Sequence, residues 1–122
     1  MLKAMQSAKD DRLKELEALP APQRAREAAA SGFASGTADD RTLASRYFDL
    51  AFSSLNSVWS DREKLKDAPG IVQEVSEAAA QVDSADALRR TRELDDPAAQ
   101  AIGMISVARV VAGGGETVEA ER

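Results

Sequence analysis

The sequence contains no cysteine and no histidine. Without cysteine the chain cannot form a disulfide, a thiolate metal site or a cysteine nucleophile, and without histidine it lacks the commonest general base and metal ligand. These absences remove the usual residues of hydrolytic and transition-metal chemistry. They predict a non-enzymatic protein with no catalytic residues, no cofactor and no bound metal. The absence of cysteine also fits a cytoplasmic location.

Aromatic residues and long apolar runs are scarce as well. Aromatics make up 4% of the chain, and much of its 43% hydrophobic content is alanine, so we expect a thin core of closely packed helices. The most apolar stretch, Ala101 to Val111, contains Arg109 and is about half as long as the ~20 residues that span a membrane. The N-terminal residues lack the apolar segment of a signal peptide. We therefore expect no membrane contact.

Surplus negative charge is confined to the second half of the chain. Residues 1–60 carry eight positive and eight negative side chains, whereas residues 61–122 carry eight and thirteen, which gives the net charge of −5. Proteins bind a phosphate backbone through clustered Lys and Arg. The one dense basic cluster, Arg89, Arg90 and Arg92, lies beside Asp86 and Glu93. We therefore predict no nucleic-acid binding, and a protein partner that is basic or mixed in charge.

The hydrophobic pattern predicts an all-α fold. No segment alternates with period two over the length of a strand, whereas six segments have helical spacing. The predicted helices are a first one ending before Pro20, Gln23 to about Gly36, Arg41 to Trp59, Ile71 to Val82, a short one with Leu88, Thr91 and Leu94, and a last one from Pro97. The helix from Arg41 to Trp59 is apolar over more than half of its circumference, which predicts that it is the central core helix. Ala101, Ile102, Ile105 and Ala108 form the predicted inward stripe of the last helix.

Several polar and glycine-rich segments predict where helices begin and end. Asp10-Asp11, Asp39-Asp40 and Asp95-Asp96 each precede a helix, which indicates capping of free amides rather than cation binding. Ser60 and Glu63 have the spacing of a capping box and predict a further helix start, interrupted by Pro69-Gly70. Gly113-Gly114-Gly115 is predicted to end the last helix. Residues 1–112 are therefore expected to form a single helical domain, and residues 113–122 a flexible acidic tail.

One pattern occurs twice in the chain. Leu13, Leu16, Leu19 and Pro22 recur seventy-five positions later as Leu88, Thr91, Leu94 and Pro97. Each copy has the pattern of a helix end, a short break and a second helix that begins at the proline. A spacing of this kind is typical of helical repeats.

The segment from Leu94 to Ala101, with Met104, Ile105 and Ala108, resembles bacterial helical-hairpin repeats of the HEAT and tetratricopeptide-like kind. In such repeats a Leu-x-Asp-Pro turn leads into an alanine-rich inner helix. The segment from Leu19 to Ala25 resembles a second copy. The resemblance implies about six helices arranged as three stacked hairpins, a short α-solenoid that binds a protein partner on a concave or groove surface.

The alternative fold is a closed helical bundle that binds a small apolar ligand or serves as a structural subunit. The solenoid places the second and sixth helices in one layer, whereas the bundle wraps both around the helix of Tyr47 and Trp59. The candidate partner-binding residues are Trp59, at a helix end where a groove could open, and Glu74 and Glu77, on the polar side of the fourth helix. An oligomer is compatible with either fold.

Overall fold

The computed structural model of the protein describes the backbone of residues 11–120 and the side chains of residues 11–113. Over this range the chain forms six α-helices and no β-strand, which confirms the all-α prediction. The helices are α1 (described over residues 11–17), α2 (Ala21–Thr37), α3 (Arg41–Ser60), α4 (Ala68–Val82), α5 (Ser84–Arg92) and α6 (Pro97–Ala120). The sequence also predicts that Leu2, Met5 and Ala8 belong to the apolar stripe of the first helix and that Asp10-Asp11 can divide this helix, but residues 1–10 lie outside the described residues.

Aspartate side chains begin three of these helices, because a carboxylate oxygen can accept a hydrogen bond from an amide that has no partner within the helix. Asp40 accepts from the Leu43 amide at 3.1 Å, and Asp83 accepts from the Asp86 amide at 3.1 Å. Asp96 accepts from the Ala98 amide at 2.8 Å. The predicted capping role is thereby confirmed for Asp39-Asp40 and Asp95-Asp96.

The predicted helix start at Ser60 and Glu63 is wrong. Residues 61–67 form turns, and the Ser60 hydroxyl donates to the Ser57 carbonyl at 2.8 Å instead of capping a following helix. Pro69 does not interrupt a helix but lies in the first turn of α4. At that position the missing amide hydrogen costs little, because the first amides of a helix have no partner within it.

The prediction that the glycines at 113–115 end the last helix is wrong. α6 continues through them to Ala120. A glycine weakens a helix by about 1 kcal/mol relative to alanine, but it keeps its amide and carbonyl and therefore does not block one. The domain boundary at residue 112 and the flexibility of the tail stay predictions.

α3 and α4 form the middle of the fold. α4 packs against α2, α3, α5 and α6. α3 packs against α2 and α4, shares with α1 a cavity that is lined by Leu13 and Leu50, and meets α5 through Arg90 and Asp49. α3 contributes nine buried side chains to the core, Phe52 and Leu55 among them, which agrees with the prediction that it is the central core helix.

The inward side of α6 also differs from the predicted stripe. Ala101, Ile105 and Ala108 are exposed, and the buried positions are Ala99, Gly103, Ser106 and Val107. α6 is apolar on nearly every side, so periodicity does not select the inward side. Close approach selects it instead, because a Cβ atom at Gly103 would lie 2.6 Å from Cγ2 of Thr91.

Candidate functional site

An apolar groove runs along the surface between α5 and α6. Its volume is about 380 Å³, and it is lined by Ser84, Ala85, Leu88, Met104, Val107, Ala108, Val111 and Ala112. Ile105 and Val111 are each 53% exposed and are two of the three large hydrophobic side chains exposed in the described part of the chain. We call the groove, together with the exposed residues Ala101 and Ile105, the α6 face.

The α6 face is almost free of charge. Charged residues make up 30% of the chain, but Arg109 is the only one from Pro97 to Gly113. A helix that is apolar on all sides is normally buried. Depletion of charge around exposed apolar side chains is typical of the centre of a protein–protein interface. The α6 face is thus exposed to solvent although its residues have the apolar, nearly uncharged composition of a protein–protein interface.

A second feature is a buried arginine between α3 and α5. The Arg90 side chain is 5% exposed. Its Nη1 donates to Asp49 Oδ1 at 2.5 Å, its Nε donates to Asp86 Oδ2 at 2.8 Å, and its Nη2 donates to Ser45 Oγ at 2.9 Å. Because a buried charge is costly unless it is paired and hydrogen-bonded, this arrangement indicates a structural joint between the two helices.

The same network governs the ionisation of Asp86. Burial of the carboxyl raises its pKa, but hydrogen bonds from Arg90 and Arg89 lower it, and the net result is a pKa below the ordinary value. The pKa of Arg89 is raised by its hydrogen bond to Asp86. Both groups therefore stay charged at neutral pH. A general acid or base needs a pKa near the working pH, which is the opposite direction for both.

The basic cluster predicted from the sequence is not an open patch. Arg89 pairs with Asp86 at 2.7 Å and with Glu93 at 3.2 Å, and Arg90 is buried. Among the described residues, no group of three or more Asp or Glu side chains is placed to hold a metal ion. In the same part of the chain, no helix is both long enough and apolar enough to cross a membrane.

The structure places Trp59 in the core rather than beside an open groove. Its side chain is 8% exposed, and the guanidinium of Arg62 lies 5.5 Å from the centre of its ring. Arg62 also donates from Nη1 to the Trp59 carbonyl at 3.1 Å, which holds it over the ring. A role of Trp59 in partner binding stays a prediction.

Glu74 and Glu77 lie on α4, but each has a hydrogen-bond partner. Glu74 Oε2 accepts from Nε of Arg26 on α2 at 2.9 Å, and Glu77 Oε1 accepts from Nε2 of Gln73 at 3.1 Å. Glu74 is exposed and Glu77 is half-buried. The pairing with Arg26 neutralises part of the negative charge that was predicted to attract a basic partner. In the described part of the chain, none of the main cavities is lined by Glu74, Glu77 or Trp59. These three residues therefore do not share one of these cavities with one another or with the α6 face.

Comparison of the chain with models of protein families, with curated proteins and with solved structures finds no match. The resemblance to helical-hairpin repeats stays a prediction. Helical spacing assigns no binding role to the α6 face, since it places Ala101, Ile105 and Ala108 on the inward stripe of the last helix. The signal that could have found this surface is the absence of charge over Pro97–Ala108 in a highly charged chain.

Proposed function

We propose that this protein is a non-enzymatic helical interaction module that binds another polypeptide through the α6 face. The observation that carries the proposal is the exposure of Ile105 and Val111 beside an apolar groove, on a stretch of helix, Pro97 to Gly113, whose one charged residue is Arg109. Burial of such a surface is favourable because it removes apolar area from water. A partner that presents an apolar helical surface would fill the groove and cover both side chains.

The arrangement as three stacked hairpins, the short α-solenoid, belongs to the same proposal. Two similar junctions support it. Arg24 of α2 donates to the Leu19 carbonyl at 3.0 Å, and Gln100 of α6 donates to the Leu94 carbonyl at 2.6 Å. In each case a side chain from the start of the second helix closes the break that follows the first. The contacts of α4 with both α2 and α6 are compatible with the layer of second, fourth and sixth helices that a solenoid requires.

The position of the α6 face in such a stack supports an interaction role. Each hairpin of a stack packs against its neighbours. The described part of α1 exposes the charged side chains Asp11, Lys14, Glu15 and Glu17, whereas α6 exposes Ile105 and Val111. Its apolar surface lies where a further helical element would pack.

Two alternatives are less well supported. A partner that recognises Glu74 and Glu77 would have to compete with Arg26, which already pairs with Glu74. A small apolar ligand in the groove would stay largely exposed, because the α6 face is a shallow surface, whereas ligand pockets bury most of the ligand. A cytoplasmic location and a bacterial origin of the repeat stay predictions.

A quantitative capture experiment tests the proposal. The wild-type chain, the Ile105→Glu variant and the matched control Phe33→Glu, which changes the third exposed hydrophobic side chain on α2, are each immobilised and exposed to native lysate. We expect a protein that is retained by the wild type and by Phe33→Glu but lost with Ile105→Glu.

The retained protein is then purified and its binding is measured by calorimetry and stopped-flow kinetics. Burial of apolar surface predicts a negative heat-capacity change and an association rate that is almost independent of salt, since charge steering is absent. A strongly salt-dependent rate that falls on reversing Glu74 and Glu77 would place the interface on the acidic side of α4. Retention that is equal for all three chains would contradict the proposal.

A further inference from the structure

We infer, on the basis of the function proposed above, that the polypeptide covering the α6 face is a second copy of this chain. The two copies would pack α5 and α6 against their own counterparts about a two-fold axis. The charges of the surface, its shape and the character of the opposite side of the molecule each support this partner.

The charges favour a second copy. The chain has a net charge of −5, so two copies repel each other wherever their acidic surfaces approach. The α6 face contains no Asp or Glu among its residues. It is therefore a region where two copies can approach without opposing carboxylates. A different acidic or basic partner would find no complementary charge there except at Arg109.

The shape is compatible with self-association. α6 carries both an exposed side chain, Ile105, and one wall of the groove, formed by Met104, Val107 and Ala108. In a two-fold arrangement a residue of one copy contacts a site on the other, and the reciprocal contact follows by symmetry. Ile105 of each copy can thus enter the groove of the other, as a knob enters a hole between packed helices.

The opposite side of the molecule argues against open, head-to-tail assembly. A head-to-tail contact with α1 would place the α6 face against a helix whose described residues, 11–17, expose Asp11, Lys14, Glu15 and Glu17. Covering these charges with an apolar groove would cost their hydration. The α6 face therefore matches itself better than it matches α1, and the expected product is a closed dimer rather than a filament.

Sedimentation equilibrium of the full chain over a range of concentrations tests the inference. We expect the wild type to approach twice the chain mass as concentration rises, and to do so more readily at high salt, because salt screens the repulsion between two copies of net charge −5. Ile105→Glu should remain at the chain mass, with at least a tenfold weaker association and an unchanged circular dichroism spectrum. Phe33→Glu is the matched control, and it should dimerise like the wild type.

A conservative variant separates a lost contact from a general sensitivity of this position. Ile105→Leu keeps an apolar side chain that can enter the groove of the other copy and should retain the dimer mass, whereas Ile105→Glu should be monomeric. A wild-type chain that stays monomeric up to about 1 mM, the dissociation constant of a weak complex, would overturn the inference. A dimer that survives in Ile105→Glu would overturn it as well.

The failure of this inference can be distinguished from that of the proposed function. If the wild type is monomeric but still retains a different protein through Ile105, the proposed interaction module is supported and the second copy is excluded as its partner. If the wild type is monomeric and no retention depends on Ile105, both the proposed function and this inference are contradicted. Self-association that Ile105→Glu abolishes supports both.

Discussion

Arg90 of α5 and Asp49 of α3 form an ion pair across 2.5 Å although they lie 41 positions apart in the chain. The pair is asymmetric, since the side chain of Arg90 is 5% exposed and that of Asp49 is 68% exposed. The cation is therefore buried and depends on its partners, whereas the carboxylate remains hydrated from the solvent side. It follows that Arg90, and not Asp49, is the member of the pair that the fold needs for stability.

We predict that Arg90→Met lowers the free energy of unfolding by about 2–3 kcal/mol, somewhat less than the loss of a fully buried pair. The loss is expected to be smaller than for a fully buried pair because the carboxylates that remain, those of Asp49 and Asp86, can reach water. Urea unfolding followed by circular dichroism measures the effect. Arg89→Met is the matched control, since Arg89 is exposed, and it should change the free energy by no more than about 0.5 kcal/mol. Equal losses from the two variants would contradict the prediction.

The ionisation of Asp86 predicts how stability depends on pH. Because the pKa of this carboxyl is lower in the folded chain than in the unfolded chain, its contribution to stability is present above the unfolded pKa. That contribution is lost as the pH falls through the folded pKa. Unfolding free energies measured from about pH 6 down to pH 2 should therefore show a loss in the wild type that is smaller in Asp86→Asn.

The control for the pH experiment is the same substitution in the Arg90→Met background. One of the two hydrogen-bonding cations is then absent, so Asp86→Asn should change the pH dependence less than it does in the wild-type background. An undiminished change would mean that Arg90 does not hold the Asp86 carboxylate in its ionised form.

The close approach of α6 predicts a large effect of one added methyl group. Gly103→Ala would place a Cβ atom 2.6 Å from Cγ2 of the buried Thr91, so one helix must shift. Overpacking of this kind costs about 1–3 kcal/mol. Gly70→Ala is the matched control because a Cβ atom there meets nothing within 4 Å, and it should be neutral or stabilising by up to about 1 kcal/mol. In thermal unfolding we expect the melting temperature of Gly103→Ala to fall and that of Gly70→Ala to stay the same or rise.

Asp39 offers a stabilising substitution. It has φ of 63°, in the left-handed region that costs an L-residue roughly 1–2 kcal/mol. Its amide donates to the Gly36 carbonyl at 3.2 Å and closes the end of α2. We predict that Asp39→Gly raises the free energy of unfolding by about 0.5–1 kcal/mol, while Asp39→Val lowers it. A stabilised valine variant would show that this conformation is not maintained in solution.

Phe52→Ala tests the core of α3. Phe52 is buried, and truncation of a buried phenylalanine costs about 3–5 kcal/mol, which approaches the whole stability of a small domain. The exposed Phe33→Ala is the comparison and should have a much smaller effect. A melting temperature of Phe52→Ala equal to that of the wild type would mean that this side chain is exposed in solution.

Helix identity and capping could be predicted from the sequence because they depend on local chemistry. Apolar spacing indicated α3 from Arg41, and Asp39-Asp40 and Asp95-Asp96 were expected to cap helices, which Asp40 and Asp96 do in the structure. The inward side of α6 could not be predicted, since apolar residues surround that helix and the choice is made by the contact of Gly103 with Thr91. The orientation of α6 thus depends on a contact with another helix, and the periodicity of its own residues carries no information about that contact.

The candidate site was harder to predict than the fold. Trp59 was selected because it lies at a helix end, where a groove could open, but a residue at a helix end can equally be covered by the turn that follows, as Arg62 covers this ring. Glu74 was selected for its charge, but Arg26 comes from another helix, 48 positions away. In both cases the neighbour that decides the exposure or the charge lies outside the helix that carries the residue.

The turns at residues 61–67, which join α3 to α4, are exposed apart from the half-buried Leu65. The contacts of α4 with α2 and α3 are made between the helices themselves and do not involve residues 61–67. A protease that cleaves here would divide the polypeptide without separating the helices on either side. The two fragments would remain associated through their side chains, so this connection is the natural place to split the protein into complementing halves or to insert a reporter domain.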